Sequence, residues 1–346
     1  MEKLSILIVG GGLAGTTLAK QLVEKEQKIT LLDSGKNHST ALAAGIINPM
    51  VFRRMNKSWR VDDFLEDALA YYSELELKLK VKLVRPLFLR RLFSSNQERE
   101  FWEKRQFEKE YEQYLEILTE EDLNYSLAKN EFGSGRVKQA FWIDAQAYYN
   151  SQIKYFHDLG VLIKETFSPL NFDPENGKYK DILYDKIVFC CGSSNSEISY
   201  FKNIPIEKTK GQTITIHCPE LTERESLNRK SFVLPLGGNT FRVGATYEWE
   251  NDTLNSTDDA KKLLLDNFSV ISDLPVKVID QTAGIRPTVL DRRPVLGQHQ
   301  THKKLFIFNG LGAKGYLLAP TLAKEMANFL VEEVPISKEV SINRFY

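Results

Sequence analysis

The sequence predicts an α/β fold in which a parallel sheet is interleaved with a smaller α+β part built on an antiparallel sheet. Three patterns support this prediction. An apolar run at residues 6–9 turns at glycines directly into a helical pattern. A second apolar run ends in glycine at residues 185–192. Residues 208–218 and 232–247 then alternate apolar and polar side chains, which is typical of half-buried antiparallel strands.

The glycine turn near the N-terminus is typical of a dinucleotide-binding site. Gly10 permits a tight bend, Gly12 lets a pyrophosphate approach bare backbone, and Gly15 lets the helix pack against the strand. Leu13 and Ala14 open this helix, whose N-terminus attracts phosphate. An ordinary glycine-rich loop is the alternative interpretation.

An acidic residue follows at the distance that such a site needs. The next predicted strand covers residues 28–32 and ends at Asp33, eighteen positions after Gly15 and just before Ser34. That spacing is typical of a carboxylate that accepts hydrogen bonds from an adenosine ribose. A plain turn residue is the alternative for Asp33. The Rossmann-type pattern does not by itself distinguish NAD from FAD.

The segments that follow are interpreted in chain order. Residues 40–49 are too apolar for a solvent loop, and we expect them to lie against something flat. Residues 62–80 repeat apolar side chains at helical spacing and predict an amphipathic helix. Asp144 is the predicted N-cap of a helix that ends near residue 159. Further strands, surface helices and a hairpin are predicted at residues 84–93, 97–123, 141–143, 161–167 and 171–178.

The later strands indicate that two domains are interleaved along the chain. The strand at 185–192 resumes the parallel sheet, and Gly237-Gly238-Asn239 predicts an antiparallel hairpin. A strand at 305–309, a glycine-rich stretch and a helix at 317–331 form a second loop-to-helix junction. We therefore predict two domains. The nucleotide-binding domain is formed by residues 1–82, 144–204 and 296–346. The substrate domain is formed by residues 83–143 and 205–295.

Composition narrows the class of protein. The chain has 346 residues, is 42% hydrophobic, and carries 46 basic and 46 acidic side chains, so its overall field does not attract nucleic acid. Its three cysteines lack the spacing of a disulfide framework or a metal site. No apolar run approaches the ~20 residues of a membrane span. We expect a cytoplasmic protein without a metal.

Several short motifs together resemble one enzyme family. They are Ala43-Ala44-Gly45, Phe189-Cys190-Cys191-Gly192, Lys210-Gly211-Gln212, Gly244-Ala245-Thr246-Tyr247, Gly284-Ile285-Arg286-Pro287, Arg293-Pro294-Val295-Leu296-Gly297 and Gly312-Ala313-Lys314-Gly315 with Leu318-Ala319-Pro320. With the N-terminal turn, the set resembles the FAD-dependent amino-acid oxidoreductases, which include D-amino-acid oxidase, glycine oxidase and sarcosine oxidase. The resemblance covers nearly the whole chain.

The resemblance implies FAD as the cofactor and oxidation of an amine as the reaction. Hydride would pass from the carbon beside an amine to flavin N5, and water would hydrolyse the resulting imine. The last third of the chain has no cysteine, where sarcosine oxidases attach flavin, so we expect noncovalent FAD. The predicted FAD-binding residues are Gly10, Gly12, Leu13, Ala14, Gly15, Asp33, Ser34, Ala43, Ala44, Gly45, Ile46, Cys191, Gly192, Gly312, Ala313, Gly315, Tyr316 and Leu317.

Three residues are candidates for substrate chemistry. The planar fork of Arg286 suits a substrate carboxylate, and the resemblance places the family's carboxylate-binding arginine there; a structural arginine bracing Pro287 is the alternative. Tyr247 either donates to the same carboxylate or only packs. Lys314, where glycine oxidases tend to carry arginine, either binds substrate as a point charge, attracts oxygen to reduced flavin, or is merely solvated.

Within the family the chain resembles the FAD domain of the bifunctional tRNA 5-methylaminomethyl-2-thiouridine biosynthesis protein. Ile46-Ile47-Asn48-Pro49-Met50 and Leu311-Gly312-Ala313-Lys314-Gly315 carry this likeness. The accompanying methyltransferase domain is missing from this sequence and the charge is balanced, so we expect a small amine or amino-acid substrate and do not favour tRNA.

One local basic cluster suits RNA phosphates, although a solvated charge run is the favoured interpretation. It consists of Arg53, Arg54, Lys57 and Arg60 with Trp59. Two other function classes stay open: an NAD-dependent dehydrogenase, which leaves the later glycine segments unexplained, and a noncatalytic flavin-binding protein.

Overall fold

The computed structural model describes residues 3–36, 39–250 and 253–346. In this part of the chain the α-helices are Leu13–Glu24 (α1), Ser39–Leu42 (α2), Val61–Leu79 (α3), Asn96–Arg105 (α4), Glu120–Leu123 (α5), Ala145–Asp158 (α6), Asp258–Ser269 (α7) and Gly315–Glu332 (α8).

A six-stranded sheet is assembled from three separate regions of the chain. Its strands, numbered along the chain, lie in the spatial order Leu162–Lys164 (β10), Lys28–Asp33 (β2), Ser5–Val9 (β1), Lys186–Phe189 (β14), Leu305–Asn309 (β21) and Val295–Gln298 (β20). Neighbouring strands are parallel except β20 and β21.

The central strand β1 is covered on both faces, which explains its unbroken apolar sequence. Ile6 and Ile8 pack in the same core as helices α1, α3 and α8. Leu7 and Val9 point to the opposite face and belong to a second core with Tyr179. This second layer includes a small antiparallel sheet of Phe172–Asp173 (β11), Lys178–Tyr179 (β12) and Ile182–Leu183 (β13).

A seven-stranded sheet forms the other large layer. Its order is Lys277–Val289 (β19), Ile206–His217 (β15), Thr240–Gly244 (β18), Ser231–Gly237 (β17), Ser226–Arg229 (β16), Leu89–Leu92 (β7) and Ser134–Val137 (β8). All pairs are antiparallel except β16 with β7. The remaining short strands are Ile46–Ile47 (β3), Met50–Val51 (β4), Asn56–Lys57 (β5), Val84–Pro86 (β6) and Phe141–Ile143 (β9).

The alternating pattern of β15 gives the seven-stranded sheet two different faces. Ile214 and Ile216 pack in one core with Leu264 and Phe268 of α7. Thr213, the residue before Ile214, lines a cavity on the other side. One face is therefore closed by a helix while the opposite face is available to a ligand.

Most predicted elements are confirmed with small shifts at their ends. The Asp144 cap is present, since its carboxylate accepts from the Ala147 amide at 3.0 Å. The predicted hairpin joins β17 to β18, and the last helix begins at Gly315. The strand expected over 161–167 is limited to β10. The α/β class with its additional antiparallel sheet is confirmed, whereas the domain boundaries stay a prediction.

The surface character predicted for residues 97–123 is wrong in part. Trp102 of α4 is fully buried, its indole N–H donates to the Glu116 carbonyl, and it lies against Gly135. Asp122 of α5 is buried and accepts from Arg90 at 2.8 Å. A few deeply packed side chains among many charged ones fix this segment to the end of the seven-stranded sheet.

Candidate active site

A cavity of about 580 Å³ extends from the glycine turn to the open face of the seven-stranded sheet. Of the twenty-one predicted site residues, Gly15 alone does not line it. The cavity is lined by Gly10, Gly12, Leu13, Ala14, Asp33, Ser34, Ala43, Ala44, Gly45, Ile46, Cys191, Gly192, Tyr247, Arg286, Gly312, Ala313, Lys314, Gly315, Tyr316 and Leu317. Segments far apart in sequence thus meet around one space.

The glycines of the turn are required by close backbone contacts. A Cβ at Gly10, whose φ is +112°, would lie 2.4 Å from the Cys190 carbonyl oxygen. A Cβ at Gly15 would lie 1.8 Å from the Gly10 carbonyl oxygen. Gly15 therefore allows α1 to pack beneath the turn, and its place among the FAD-binding residues stays a prediction.

Asp33 is a buried carboxylate at the end of β2, so the plain-turn alternative does not describe it. Its Oδ1 accepts from the Gly11 amide at 3.3 Å and its Oδ2 accepts from the Tyr149 hydroxyl at 3.3 Å. Burial and the nearby carboxylate raise the pKa of Tyr149, which keeps that hydroxyl protonated as a donor. Tyr149 could not be selected from local sequence patterns, because its contact with Asp33 exists only once α6 has packed beside β2.

The short helix α2 and the segment after it close over the glycine turn, beginning with Thr40. Its hydroxyl accepts from the Leu13 amide at 2.8 Å, and its carbonyl accepts from the Tyr316 hydroxyl at 2.9 Å. Arg242 donates to the Ala43 carbonyl at 3.3 Å from the seven-stranded sheet. These contacts fix the apolar segment 40–49 along the cavity, as expected for a segment lying against a flat ligand.

Arg286, on β19, lies in the part of the cavity wall that the seven-stranded sheet forms. A Cβ at Gly211, on the neighbouring strand, would lie only 2.1 Å from the Arg286 Nη2. On the other side the Tyr247 ring centroid is 4.6 Å from the guanidinium carbon. Nη1 donates to the Thr246 carbonyl at 3.3 Å. The guanidinium is thus held between a bare glycine and an aromatic ring.

The charge of Arg286 has no carboxylate partner among the residues that the structure describes. Among the described residues, the acceptor of its hydrogen bond is the neutral Thr246 carbonyl. Burial lowers the pKa of the guanidinium, although arginine stays charged in proteins. A half-buried cation that lines a cavity and has no carboxylate partner is suited to an anionic group.

Tyr247 is a contact of Arg286 through its ring face. The side chain is 60% exposed, so it is not a core tyrosine. Its ring stabilises the guanidinium by a cation–π contact, which is worth about 1 kcal/mol at an exposed site.

Lys314 is partly buried at the residue that precedes α8, and the solvated alternative does not fit its surroundings. Its Nζ donates to the Ser58 hydroxyl and, at 3.5 Å, to the Asn48 carbonyl. Both acceptors are neutral, and burial lowers the pKa of Lys314 to about 8. Lys314 is thus a second cation at the cavity, held by a loop that sequence reasoning did not connect to it.

The two adjacent cysteines are free thiols in the cavity wall. Burial raises the pKa of Cys190 and raises that of Cys191 to about 12, so both stay protonated at neutral pH. This agrees with inert thiols rather than a redox pair.

The described residues form neither a metal-binding cluster nor a membrane-spanning helix. No group of His, Cys, Asp or Glu in this part of the chain is arranged to hold a metal ion. No described helix combines the length and apolar character required to cross a membrane.

The basic cluster proposed for RNA separates in the structure. Lys57 pairs with Asp62 at 2.8 Å, which raises the pKa of Lys57. Arg60 pairs with Glu325 at 2.9 Å. Arg53 lines a second cavity beside the main one, whereas Arg54 is an exposed side chain outside it.

Comparison with known proteins identifies the family. The family described as FAD dependent oxidoreductase (DAO) matches residues 5–329. The chain belongs to this family. It is therefore an FAD-dependent oxidoreductase, and the expectations of an enzyme and of FAD are confirmed.

Named relatives and solved structures agree with this assignment. One relative is the tRNA 5-methylaminomethyl-2-thiouridine biosynthesis bifunctional protein MnmC from Legionella pneumophila (strain Lens), which is 24% identical over 86% of this chain. The chain spans 46% of the length of that relative. Glycine oxidase from Bacillus licheniformis is 20% identical over 95% of this chain and 94% of its own length. Iminodiacetate oxidase from Chelativorans sp. BNC1 has the same fold, with a TM-score of 0.79, 19% identity and coverage of 97% and 99% of the two chains.

The residues around the cavity fit FAD. The volume lies within the range of about 300–1,000 Å³ that is usual for cofactor and ligand sites. Gly12 is the N-cap of α1 and provides no side-chain cap, which leaves bare backbone for a pyrophosphate. Asp33 supplies the acidic group for a ribose at one end, and the junction before α8 lines the other end.

Proposed function

We propose that this enzyme oxidises the C–N bond of an amino acid or secondary amine that bears a carboxylate, giving an imine that hydrolyses. FAD, when bound, accepts the hydride from the carbon beside the nitrogen. The observation that supports the proposal is the half-buried Arg286 guanidinium, which lines the cavity without a carboxylate partner in the described part of the chain.

Arg286 orients the substrate through its carboxylate. A guanidinium presents two parallel N–H groups to the two oxygens of a carboxylate, so the α-carbon is held in one direction. The guanidinium lies close to the bare backbone of β15, because a Cβ at Gly211 would lie 2.1 Å from the Arg286 Nη2. The Tyr247 ring limits movement on the opposite side.

Lys314 adds a charge that depends on pH. With a pKa of about 8 it is mostly protonated at neutral pH and can attract a second oxygen of the substrate or an anionic product of oxygen reduction. Its contacts with Ser58 and Asn48 hold the ammonium group at the cavity wall. Lys314 therefore contributes positive potential rather than a directional fork.

A screen of flavin reduction tests the proposal. The yellow protein is mixed anaerobically with glycine, sarcosine, iminodiacetate or D-amino acids, and flavin bleaching is followed by absorbance. Reduction by a carboxylate-bearing amine is expected, together with a loss of about 100-fold or more in Arg286→Lys and Arg286→Met. The exposed Arg224→Met variant is the matched control and should behave as the parent. Equal rates in all four proteins would contradict the role of Arg286.

A second candidate is a tRNA-modifying enzyme that oxidatively removes a carboxymethyl group from a modified uridine. The likeness to MnmC over 86% of this chain favours it, although this chain spans 46% of that relative. The same bond would be cleaved in a much larger substrate. Bleaching by modified tRNA but by no small amine, together with accumulation of carboxymethylated uridine in a deletion strain, would support this alternative.

A further inference from the structure

A second cavity of about 540 Å³ lies beside the cavity assigned to FAD and substrate. Its lining includes Arg53, Arg91, Ser95, Gln97, Glu98 and Lys230. The six side chains come from the segment after β4, from β7, from the start of α4 and from the turn between β16 and β17.

The two cavities adjoin along the same structural elements. Lys230 lines both of them. On β7, Leu89 lines the main cavity, and Arg91, two residues later on the same face of the strand, lines the second. Asn228 and Phe232, on either side of the Lys230 turn, line the main cavity. A ligand in the main cavity can therefore extend into the second one past Lys230.

The second cavity carries an excess of positive charge. Its lining has three cations and one carboxylate, that of Glu98. This carboxylate is already used, because it accepts from Arg91 at 2.6 Å and from the Ser94 amide at 2.6 Å. Arg53 and Lys230 form no ion pair within the described ranges 3–36, 39–250 and 253–346. Two positive side chains thus face this space uncompensated.

Buried groups strengthen the positive potential. Arg91 is 7% exposed, and its Nε has no hydrogen-bond partner in the part of the chain that the structure describes. The ten-residue helix α4 begins at this cavity, with Ser95 as N-cap. The N-terminus of a helix carries a partial positive charge, so the helix end and the unpartnered Nε–H of Arg91 both favour an anion, whereas the net charge of Arg91 is already balanced by Glu98.

We propose that the second cavity binds a phosphate group that belongs to the substrate, so that the physiological amine is a phosphorylated molecule longer than a free amino acid. This inference rests on the proposed amine oxidation. A phosphomonoester carries a charge of roughly −1.5 to −2 at pH 7, which matches the two uncompensated cations. The phosphate comes either from a phosphomonoester on a small amine or from the phosphodiester backbone of a nucleotide chain, and both offer the same oxyanion.

Phosphate binding is measured without any turnover, so it succeeds or fails separately from amine oxidation. The FAD-loaded enzyme is titrated with inorganic phosphate by calorimetry. We expect binding that weakens about tenfold in Arg53→Gln and in Lys230→Gln, the loss of one charge-assisted contact. Arg54→Gln is the matched control, because Arg54 is the adjacent arginine and does not line the cavity. The side chains of Arg53 and Lys230 are both exposed, so we expect their substitution to leave folding intact.

The outcomes separate the proposal from its alternatives. The proposal is overturned if the parent enzyme does not bind phosphate, or if Arg54→Gln weakens phosphate binding as much as the other two substitutions. Arg286→Met should abolish flavin reduction and leave phosphate binding unchanged. Uridine monophosphate and a short oligouridylate then distinguish the sources: tighter binding of the monophosphate assigns a phosphomonoester, and tighter binding of the oligonucleotide assigns a phosphodiester. The proposal is also overturned if neither uridine monophosphate nor the oligouridylate binds.

Discussion

Replacing Gly211 by alanine should displace Arg286 from the position in which it binds a carboxylate. The added Cβ would lie 2.1 Å from Nη2 and 2.3 Å from both Cζ and Nη1 of Arg286. Carbon and nitrogen atoms in contact need about 3.5 Å, so the guanidinium must move by more than about 1 Å. The Tyr247 ring, 4.6 Å away on the other face, resists this movement.

The expected consequence is a large loss of activity with little effect on FAD binding. A displacement of about 1 Å in a positioning group can cost about 100-fold in rate, equivalent to roughly 2.7 kcal/mol of transition-state stabilisation. We expect kcat/KM for a carboxylate-bearing amine to fall by this factor in Gly211→Ala. The assay is anaerobic stopped-flow reduction of the flavin, with flavin content measured by absorbance after gel filtration.

Gly284→Ala provides the matched control, since Gly284 pairs with Gly211 across β19 and β15 and also lines the cavity. A Cβ at Gly284 meets its nearest atom, the Ser39 Cα, at an ordinary 3.7 Å. The control therefore adds the same methyl group to the same wall without touching Arg286. If both variants lose activity equally, or if Gly211→Ala keeps parental kinetics, the assigned position of Arg286 is refuted.

Four other outcomes are expected. Because the lowered pKa of Lys314 is about 8, KM for an anionic substrate should rise as pH increases through 8, and Lys314→Met should abolish this dependence. Below pH 8 Lys314 is protonated in both the folded and the unfolded chain, so the free-energy cost of burying its charge is fully present. This cost decreases as the pH rises from 8 to 10.5. Lys314→Met should therefore stabilise the protein by up to about 3 kcal/mol at pH 7, measured by chemical denaturation. Tyr247→Phe should retain the parental KM whereas Tyr247→Ala raises it about fivefold in steady-state assays, because the ring rather than the hydroxyl contacts Arg286. Asp33→Ala should weaken FAD binding at least about tenfold in flavin-release titrations, with Asp33→Asn intermediate.

The parts of the site that were predictable depend on local sequence patterns. The turn from β1 into α1 and the end of β2 lie within about thirty residues, so hydrophobic pattern and glycine spacing determine them. Arg286 and Lys314 lie in short glycine-containing motifs and could be selected as candidates from their residue types.

The contacts that sequence reasoning missed join residues far apart in the chain. Ser58 meets Lys314 across 256 positions, and Arg242 meets Ala43 across 199 positions. Nothing in either local segment records such a partner, because the contact exists only after both sheets have formed. The basic second cavity was missed for the same reason, since its cations come from three separate elements.

The strand pairing of β1 affects how the chain folds. β1 pairs with nearby β2, but its other neighbour is β14, about 180 residues later, and β14 in turn needs β21. A sheet whose neighbouring strands are this far apart in the sequence forms slowly, because the long intervening chain must be ordered before the strands can pair. During synthesis the first strand therefore keeps one unpaired edge until more than half of the chain has emerged. We expect expression yield to depend strongly on chaperones, and fragments that end before β14 to aggregate through that edge.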